Sequence, residues 1–500
     1  MISSLFIWIL HDVGILILLL LLPLITAIVV ALLPRKDELL KNVAYVSMLF
    51  TFFLVVFTIF FFDTTTTSFQ FLKNFMIFPE YNISFTIGID GISLSLIFLT
   101  AFIMPISLLS SYSVIKMNVK EYVISLLIIE FLLFGSFMIL DVLLFYFFFE
   151  SVLIPMFLII LAYGSRERKA YAAYSLFLYT LFGSLFMLIT LFDILGNYGS
   201  LNYLVLLDNF FTQEYQQKIF LGFFIAFAVK VPMIPFHNWL PEAHVEAPTA
   251  GSVILAAVLL KLGVYGMLRF LIPLCPLGSL YYAPLVYTIC CAGLVYTSMT
   301  AIRQTDMKRV IAYSSIAHMN LVIMGLFSLT TQGIEGAVLQ SLSHGFVSSG
   351  LFLCVGVLYD RYHSRIIEYY GGLVHVMPLF AIIFFFFTIA NIAFPLTSSF
   401  IGEFLILAGV FESNTFSCFI GCTGMVLSTI YSLWLYNRLM FGQLKDIYIK
   451  IFEDINKREF FVFLPLIVAT LVVGIYPDLL LRYLHTPVAF ILEHAEMRIF

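Results

Sequence analysis

Four charged residues lie inside segments that are otherwise apolar: Glu150, Lys230, Lys261 and Glu403. A charge at membrane depth costs at least about 2.5–3.5 kcal/mol by insertion scales, so it persists where it is paired, hydrated or used. Because lysines and carboxylates bind and release protons, the chemistry that these residues could carry is proton transfer. The alternatives are a fixed ion pair for Glu150 and Lys230, snorkelling of Lys261 to the membrane surface, and a hydrogen-bonded structural acid at Glu403.

The charge state of each lysine depends on its neighbours. Burial favours a neutral lysine, whereas a close carboxylate favours the ammonium form. If Glu150 moved away, Lys230 would therefore be driven to release its proton. Lys261 has no evident carboxylate on its own helix and would be repelled by Lys230, and such coupling is what a stepwise relay needs.

Two histidines in neighbouring apolar segments, His318 and His344, could bridge Lys261 and Glu403. Imidazole takes up and gives off protons near neutral pH. A buried histidine can also be hydrogen-bonded and inert, so a relay role and a structural role both remain open.

A second group of side chains, His237, Glu242, His244 and Glu246, has the residue types of a metal site. Its spacing is not that of the H-E-x-x-H motif. We therefore expect no metal there, and we interpret the segment as a connection between two spans.

The elements that hold these residues are transmembrane helices. Hydrophobic residues make up 62% of the 500 residues, charged residues 11%, and the mean hydropathy is +1.06. These values predict an all-α polytopic membrane protein in contact with the lipid bilayer. The net charge of -4 leaves no basic face for a nucleic-acid partner.

Apolar runs predict about fourteen spans, at 15–33, 42–62, 91–112, 122–140, 142–162, 171–195, 218–241, 248–270, 283–301, 309–328, 335–358, 376–411, 416–439 and 460–481.

Loop charges support this count. Most of the 25 Lys and Arg residues fall in odd-numbered loops, among them Lys308 and Lys450. The positive-inside rule then puts the odd loops on the cytoplasmic or matrix side and both termini on the opposite side.

Two of the spans are interpreted as broken near the middle, span 7 at Pro232 and span 12 at Pro395. Helices broken in this way survive where protein or a hydrated cavity satisfies the freed backbone groups. The breaks are five spans apart, which predicts two inverted five-helix repeats. The predicted units are 1–118 with three N-terminal helices, 119–270 and 271–442 as the repeats, and 443–500 as a connector and a last helix.

Neither a nucleotide-binding fold nor an iron–sulfur cluster is expected. G-x-G-x-x-G and C-x-x-C patterns are absent, and the cysteines are interpreted as small buried hydrophobic residues. Glu130, an acid at membrane depth with no identifiable partner, receives no role. The excess of Phe and Tyr over Gly is a weak indication of an organelle genome.

Five segments resemble the antiporter-like membrane subunits of respiratory complex I, over nearly the whole chain. The resemblance is closest to the subunit with a carboxylate on span 12, where its sister subunits usually have lysine; here that residue is Glu403. The segments are GIDGIS (Gly88–Ser93), FFFESVLIPMF (Phe147–Phe157), LPEAHVEAPTAGSVILAAVLLKLG (Leu240–Gly263), RQTDMKRVIAYSSIAHMNL (Arg303–Leu321) and SHGFVSSGLF (Ser343–Phe352).

The resemblance implies a proton-translocating subunit of NADH:ubiquinone reductase in which Glu150 and Lys230 form a switching pair. It further implies that Lys261 is the central relay and that Glu403 leads to the outer side. His237, His318 and His344 match polar positions of the family's central axis.

The resemblance also implies where this chain works. No redox centre or cofactor is expected in the chain itself, since FMN, the iron–sulfur clusters and quinone belong to partner subunits. The expected partners are other membrane subunits of complex I, including neighbouring antiporter-like subunits. The expected location is the mitochondrial inner membrane, or else a bacterial plasma membrane, with both termini on the intermembrane-space side.

Three other functions remain open from sequence. A subunit of a multi-subunit cation/proton antiporter would have the same fold. A non-pumping structural membrane subunit would retain the charges without using them. A haem-binding electron carrier is the least compatible with the residues.

Overall fold

The computed structural model describes residues 14–445 and 453–499. Residues 1–13 of the predicted N-terminal unit lie outside this part of the chain. So do residues 446–452 of the predicted connector, which include Lys450.

Twelve helices within the described residues are long and apolar enough to cross a membrane. They correspond to twelve of the predicted spans, and the other two, 218–241 and 376–411, are each interrupted. The helical, polytopic membrane fold is confirmed. The count of fourteen crossings, the inverted repeats and the four units stay predictions.

A β-hairpin that the sequence analysis missed lies in the chain between the second and third helices. Strands β1 and β2 pair antiparallel. They lie between two predicted spans, and the sequence analysis took this segment for a loop. Asp90 follows β2 and caps the next helix, since its carboxylate accepts a hydrogen bond from the Ser93 N–H at 2.9 Å. The elements are α1 (Ile15–Leu32), α2 (Asp37–Phe61), β1 (Gln70–Phe78), β2 (Ile83–Ile89) and α3 (Gly91–Ser111).

The next group of helices contains the first break. Helix α9 ends at Lys230, and the chain becomes helical again at Trp239. The Trp239 indole N–H donates to the Val229 carbonyl at 2.9 Å and so satisfies a backbone acceptor beside the break. The helices are α4 (Val119–Met138), α5 (Val142–Ser151), α6 (Leu153–Tyr163), α7 (Lys169–Tyr198), α8 (Tyr203–Asp208), α9 (Gln213–Lys230), α10 (Trp239–Glu246), α11 (Thr249–Ile254), α12 (Leu260–Gly266) and α13 (Ile272–Leu274). Two π-helical turns, Leu255–Leu259 and Met267–Leu271, join α11 to α12 and α12 to α13.

The second break lies between helices α17 and α18. Ala393 and Leu396 adopt positive φ angles of 61° and 75°, and Pro395 between them has no N–H to continue a helix. The helices of this part are α14 (Pro276–Ile302), α15 (Met307–Leu326), α16 (Thr331–Tyr362), α17 (Pro378–Asn391), α18 (Ser398–Ser413) and α19 (Thr415–Met440).

The C-terminal region contains two helices, where a single last span was predicted. Helix α20 (Lys457–Ile475) ends before Pro477, and α21 (Asp478–Ile499) follows. Helix α21 packs back on the N-terminal part, where the Thr486 hydroxyl donates to the Thr64 carbonyl at 2.6 Å. The proline explains why the predicted span to residue 481 stops early.

Helices α16 and α18 cross closely because glycines lie at their contact. A Cβ atom built on Gly336 would lie 2.7 Å from the Ile406 backbone nitrogen, which is closer than real Cβ atoms approach. Such small residues allow membrane helices to pack backbone to backbone.

We expect Gly336→Ala to destabilise the chain by about 1–3 kcal/mol, because backbone rather than a flexible side chain must move. Gly196→Ala is the matched control, since a Cβ there meets nothing within 4 Å. The measurement is the midpoint of thermal unfolding of the membrane-extracted protein. Equal midpoints for the two variants would contradict the packing argument.

Candidate proton-transfer site

Lys261 lies at the centre of the site and is completely buried. Its Nζ donates to the Ala256 carbonyl at 2.6 Å, within the π-helical turn that precedes α12. The same Nζ lies 2.9 Å from His344 Nδ1 on α16. The structure therefore joins the predicted central lysine directly to one of the two predicted bridging histidines.

The contacts continue from His344 to Glu403. The rings of His344 and His318 have their centroids 5.9 Å apart. His318 Nδ1 lies 3.0 Å from the Glu403 Oε1, and both side chains are buried. The structure thus brings Lys261, two histidines and Glu403 into one buried row across four helices.

The carboxylate end of the row has two further polar neighbours that sequence reasoning missed. Gln340 donates from its Nε2 to Glu403 Oε1 at 3.0 Å. Tyr431 lines a small cavity together with His318 and Glu403, and its hydroxyl has no hydrogen-bond partner in the described chain. Gln340 lies four residues before His344, one helical turn away, so the pattern on α16 could have indicated it.

The other predicted pair, Glu150 and Lys230, lies next to this row. Lys230 is the last residue of α9, where the helix dipole favours a cation. Its Nζ donates to the Phe149 carbonyl at 3.3 Å and lies 4.3 Å from the centre of the Phe149 ring. The charges of Lys230 and Glu150 act on each other, but neither Glu150 oxygen accepts a hydrogen bond within the described residues.

Helix α12 brings Lys261 close to this pair. A Cβ atom built on Gly263, two residues after Lys261, would lie 3.3 Å from Lys230 Cβ. The two lysines thus lie on helices in direct contact.

His237 does not join the row through any contact of the described residues. Its ring lies against Tyr296 and Tyr313, with centroids 5.9 and 6.5 Å apart, and its Nδ1 has no hydrogen-bond partner in the described chain. Its relay role stays a prediction.

Two of the residues with metal-ligand side chains around His237 contact other parts of the protein. Glu242 pairs with Arg309 at 2.6 Å, and His244 stacks on Phe352 with ring centroids 4.6 Å apart. Groups of three or more His, Cys, Asp or Glu that could hold a metal are not found among the described residues.

Three charged side chains lie deeper than their positions in the sequence indicate. Lys308, counted among the loop charges, and Arg365, which follows the predicted span 335–358, are both buried. Arg269, next to the last residue of the predicted span 248–270, is also buried and pairs with Asp90. Loops that fold into the protein cannot be recognised from hydropathy alone, because their burial depends on distant partners.

Glu130 has a partner that could not be identified from sequence. The Thr51 hydroxyl of α2 donates to Glu130 Oε1 at 2.7 Å, while Oε2 has no partner in the described chain. This contact is consistent with a structural acid.

A helical membrane protein with two broken helices and a buried Lys–His–His–Glu row belongs to the class of antiporter-like membrane proteins. Comparison with known proteins agrees. The family described as NADH:quinone oxidoreductase/Mrp antiporter, transmembrane, matches residues 140–430.

Relatives match almost end to end. NADH-ubiquinone oxidoreductase chain 4 of Marchantia polymorpha is 51% identical over 479 residues, which are 96% of this chain and 97% of that protein. The chain 4 proteins of Arabidopsis thaliana and Mycosarcoma maydis are 50% and 46% identical, over 96% of this chain and 97% and 99% of theirs. A solved structure, respiratory complex I from Thermus thermophilus with bound NADH, contains a chain that is 27% identical. It superimposes with a TM-score of 0.87 over 96% of this chain and 99% of its own length.

The chain belongs to the NADH-ubiquinone oxidoreductase chain 4 family, the antiporter-like membrane subunits of respiratory complex I. The resemblance inferred from sequence is confirmed. The mitochondrial inner membrane, the sides of the termini and the neighbouring subunits stay predictions.

Proposed function

We propose that this chain moves protons across the membrane through its buried row while partner subunits transfer electrons from NADH to ubiquinone. The observation that carries the proposal is the direct contact of Lys261 with His344 and of His318 with Glu403. Each member can hold a proton or give it up, and each is buried from bulk water.

The transfer uses the contacts of Lys261 with His344 and of His318 with Glu403, and between them it crosses the gap between the two histidine rings. The Lys261 ammonium gives a proton to His344 Nδ1, and the neutral amine remains hydrogen-bonded to the Ala256 carbonyl. The imidazolium of His344 then loses a proton to His318, across the short distance between the rings. His318 passes it from Nδ1 to the Glu403 carboxylate, and Glu403 releases it on the outer side.

Lys230 gives its proton to Lys261 in the step that precedes transfer along the row. A carboxylate close to a lysine favours its ammonium form, so movement of Glu150 away from Lys230 would drive the proton toward Lys261. Moving a charge against the membrane potential costs about 2.3 kcal/mol per 100 mV. Gaining or losing one buried ion pair is of comparable size.

The assignment extends to partners and location. FMN, iron–sulfur clusters and quinone are placed in partner subunits, and neighbouring antiporter-like subunits are the expected contacts in the mitochondrial inner membrane. The family description also covers Mrp antiporters. The chain is 51% and 50% identical to two chain 4 proteins over 97% of their length, which favours a complex I subunit over an Mrp antiporter subunit.

Substitution of Lys230 by methionine tests the proposal. We expect Lys230→Met to lower proton transport per assembled complex on the order of a hundredfold, because methionine fills the space but binds no proton. The measurement is NADH-driven acidification of liposomes that contain the purified complex, with the amount of complex determined on native gels.

Met233→Leu serves as the control, since it exchanges buried side chains of similar volume in the same break. Normal proton transport by assembled Lys230→Met would favour a purely structural subunit. Sodium-dependent proton exchange without NADH oxidation would favour the cation/proton antiporter.

A further inference from the structure

Two exposed apolar faces lie on helices α14 and α19, which pack against each other. The face of α14 contains Tyr296 and Met299, and both side chains are exposed. The face of α19 contains the exposed side chains of Val426, Ile430 and Leu433. Residues three and four positions apart lie on one side of a helix. Each face is therefore a continuous apolar stripe that leads toward the side of the protein where the basic loops occur.

Both stripes end at a cavity of about 490 Å³. Helix α14 ends at Ile302, and Arg303 follows it directly in the wall of the cavity. The last turns of α19 contribute Trp434 and Arg438, and Lys445 lies beyond the end of that helix. A cavity of this volume has the size of a small-molecule site.

The cavity lies between three segments of the chain that are fixed to one another. The Ile367 N–H donates to the Thr305 carbonyl at 2.9 Å, which holds the segment after α16 against the end of α14. The Gly372 N–H donates to the Phe441 carbonyl at 3.1 Å, which holds the same segment against the end of α19. These backbone contacts form the cavity before any ligand arrives, so binding does not have to order its walls.

The charges in the cavity are mostly positive. Within the described residues, neither the Arg303 nor the Arg438 side chain forms an ion pair, and Arg438 lies 5.6 Å from the centre of the Trp434 ring. The Lys445 ammonium donates to the backbone carbonyl of Glu368, which is neutral. Among the described residues that line the cavity, Glu368 has the only acidic side chain. Three cations against one carboxylate leave an excess of positive charge that an anion can neutralise.

We propose that this cavity binds the phosphate head group of an anionic phospholipid, whose acyl chains lie along the apolar faces of α14 and α19. Guanidinium groups bind phosphate through paired hydrogen bonds, and the ammonium adds a point charge. Basic pockets between membrane helices on the side of the basic loops suit such head groups, and tryptophan is typical of the boundary between membrane and water. A soluble anion would use the charged cavity but not the two apolar faces that lead into it. The proposal goes beyond proton transfer and does not depend on it.

Photolabelling of the intact complex tests the proposal. The probe is phosphatidylglycerol with a diazirine on one acyl chain, added to the purified complex in detergent. Illumination converts the diazirine into a carbene that inserts into nearby C–H bonds, and mass spectrometry of peptides locates the label. We expect label on α14 and α19 near Met299 and Ile430. Unlabelled phosphatidylglycerol should displace the probe, whereas phosphatidylcholine and inorganic phosphate should not.

Removal of the three cations tests the role of the cavity itself. The combined variant Arg303→Gln, Arg438→Gln and Lys445→Gln retains polar side chains at exposed positions but removes the positive charges. We expect the label on α14 and α19 to fall by about tenfold or more, because each basic residue near the membrane surface contributes to the attraction of an anionic lipid. If this variant does not assemble, the displacement experiment on the unsubstituted complex decides the question.

The matched control removes three charges from other basic loops. Lys36, Lys116 and Arg168 are exposed and follow the first, third and fifth predicted spans. Their combined replacement by glutamine lowers the charge of the same side of the protein by the same amount. We expect the label on α14 and α19 to remain as in the unsubstituted complex.

Three results would overturn the proposal. Label spread evenly over the lipid-facing helices, or displaced equally well by phosphatidylcholine, would show ordinary contact with bilayer lipid. Displacement by inorganic phosphate would show a site for a soluble anion. An equal loss of label in the control variant would show general attraction to the basic side rather than binding in the cavity.

Discussion

Substitution of Lys261 by methionine is expected to lower NADH-driven proton transport on the order of a hundredfold, with ubiquinone-linked NADH oxidation falling in parallel. The Lys261 Nζ lies 2.9 Å from His344 Nδ1, and the lysine is fully buried. Methionine has a similar length and fills the same space, but it cannot bind or donate a proton. The loss therefore arises from a missing proton carrier rather than from a cavity.

The neighbouring position provides the control. Leu262→Met changes a buried apolar side chain on the same helix with little change in volume, so we expect assembly and proton transport near normal. The comparison uses purified complex in liposomes, with electron transfer from NADH to a soluble acceptor as a check on the partner subunits. Full proton transport by Lys261→Met would contradict a relay through the centre.

Substitution of Glu403 by glutamine is the second change with a large expected effect. Glutamine retains the shape and can still accept from Gln340, but it removes the negative charge that faces His318 at 3.0 Å. The proton that reaches His318 then has no final acceptor. We expect a loss of proton transport of about a hundredfold with assembly preserved.

Glu403→Asp separates charge from geometry at the same position. Aspartate retains the carboxylate on a shorter side chain, so we expect proton transport between that of the native enzyme and that of Glu403→Gln. The same liposome assay measures both variants side by side. Equal, normal rates in the two would mean that Glu403 is a hydrogen-bonded structural acid.

The sequence predicted most of the row because each member has a local signal. Lys230 precedes a proline and Glu403 follows one, and in the structure Lys230 is the last residue of α9 while Glu403 lies in the second turn of α18. Lys261 was recognised as a charge within an apolar run. These signals depend on hydropathy and on helix-breaking residues, which are properties of short segments.

What the sequence could not predict depends on contacts between distant segments. Lys308 looks like a loop charge until α10 and α11 are seen to cover it, and Arg269 looks like a membrane-end residue until Asp90 is placed against it. The β1–β2 hairpin was missed because the order of apolar and polar residues in its strands does not distinguish them from a loop between two spans. The break near Pro477 was missed because hydropathy continues across it.

The most direct test of proton transfer through the row is whether water and polar groups connect Lys230 to Lys261. The measurement is a density map of the intact complex at a resolution that reveals ordered water, recorded during NADH oxidation. A continuous row predicts an unbroken chain of waters and polar groups from Lys230 Nζ to Lys261 Nζ and on to Glu403. Apolar side chains that close the space between the two lysines in every state would contradict it.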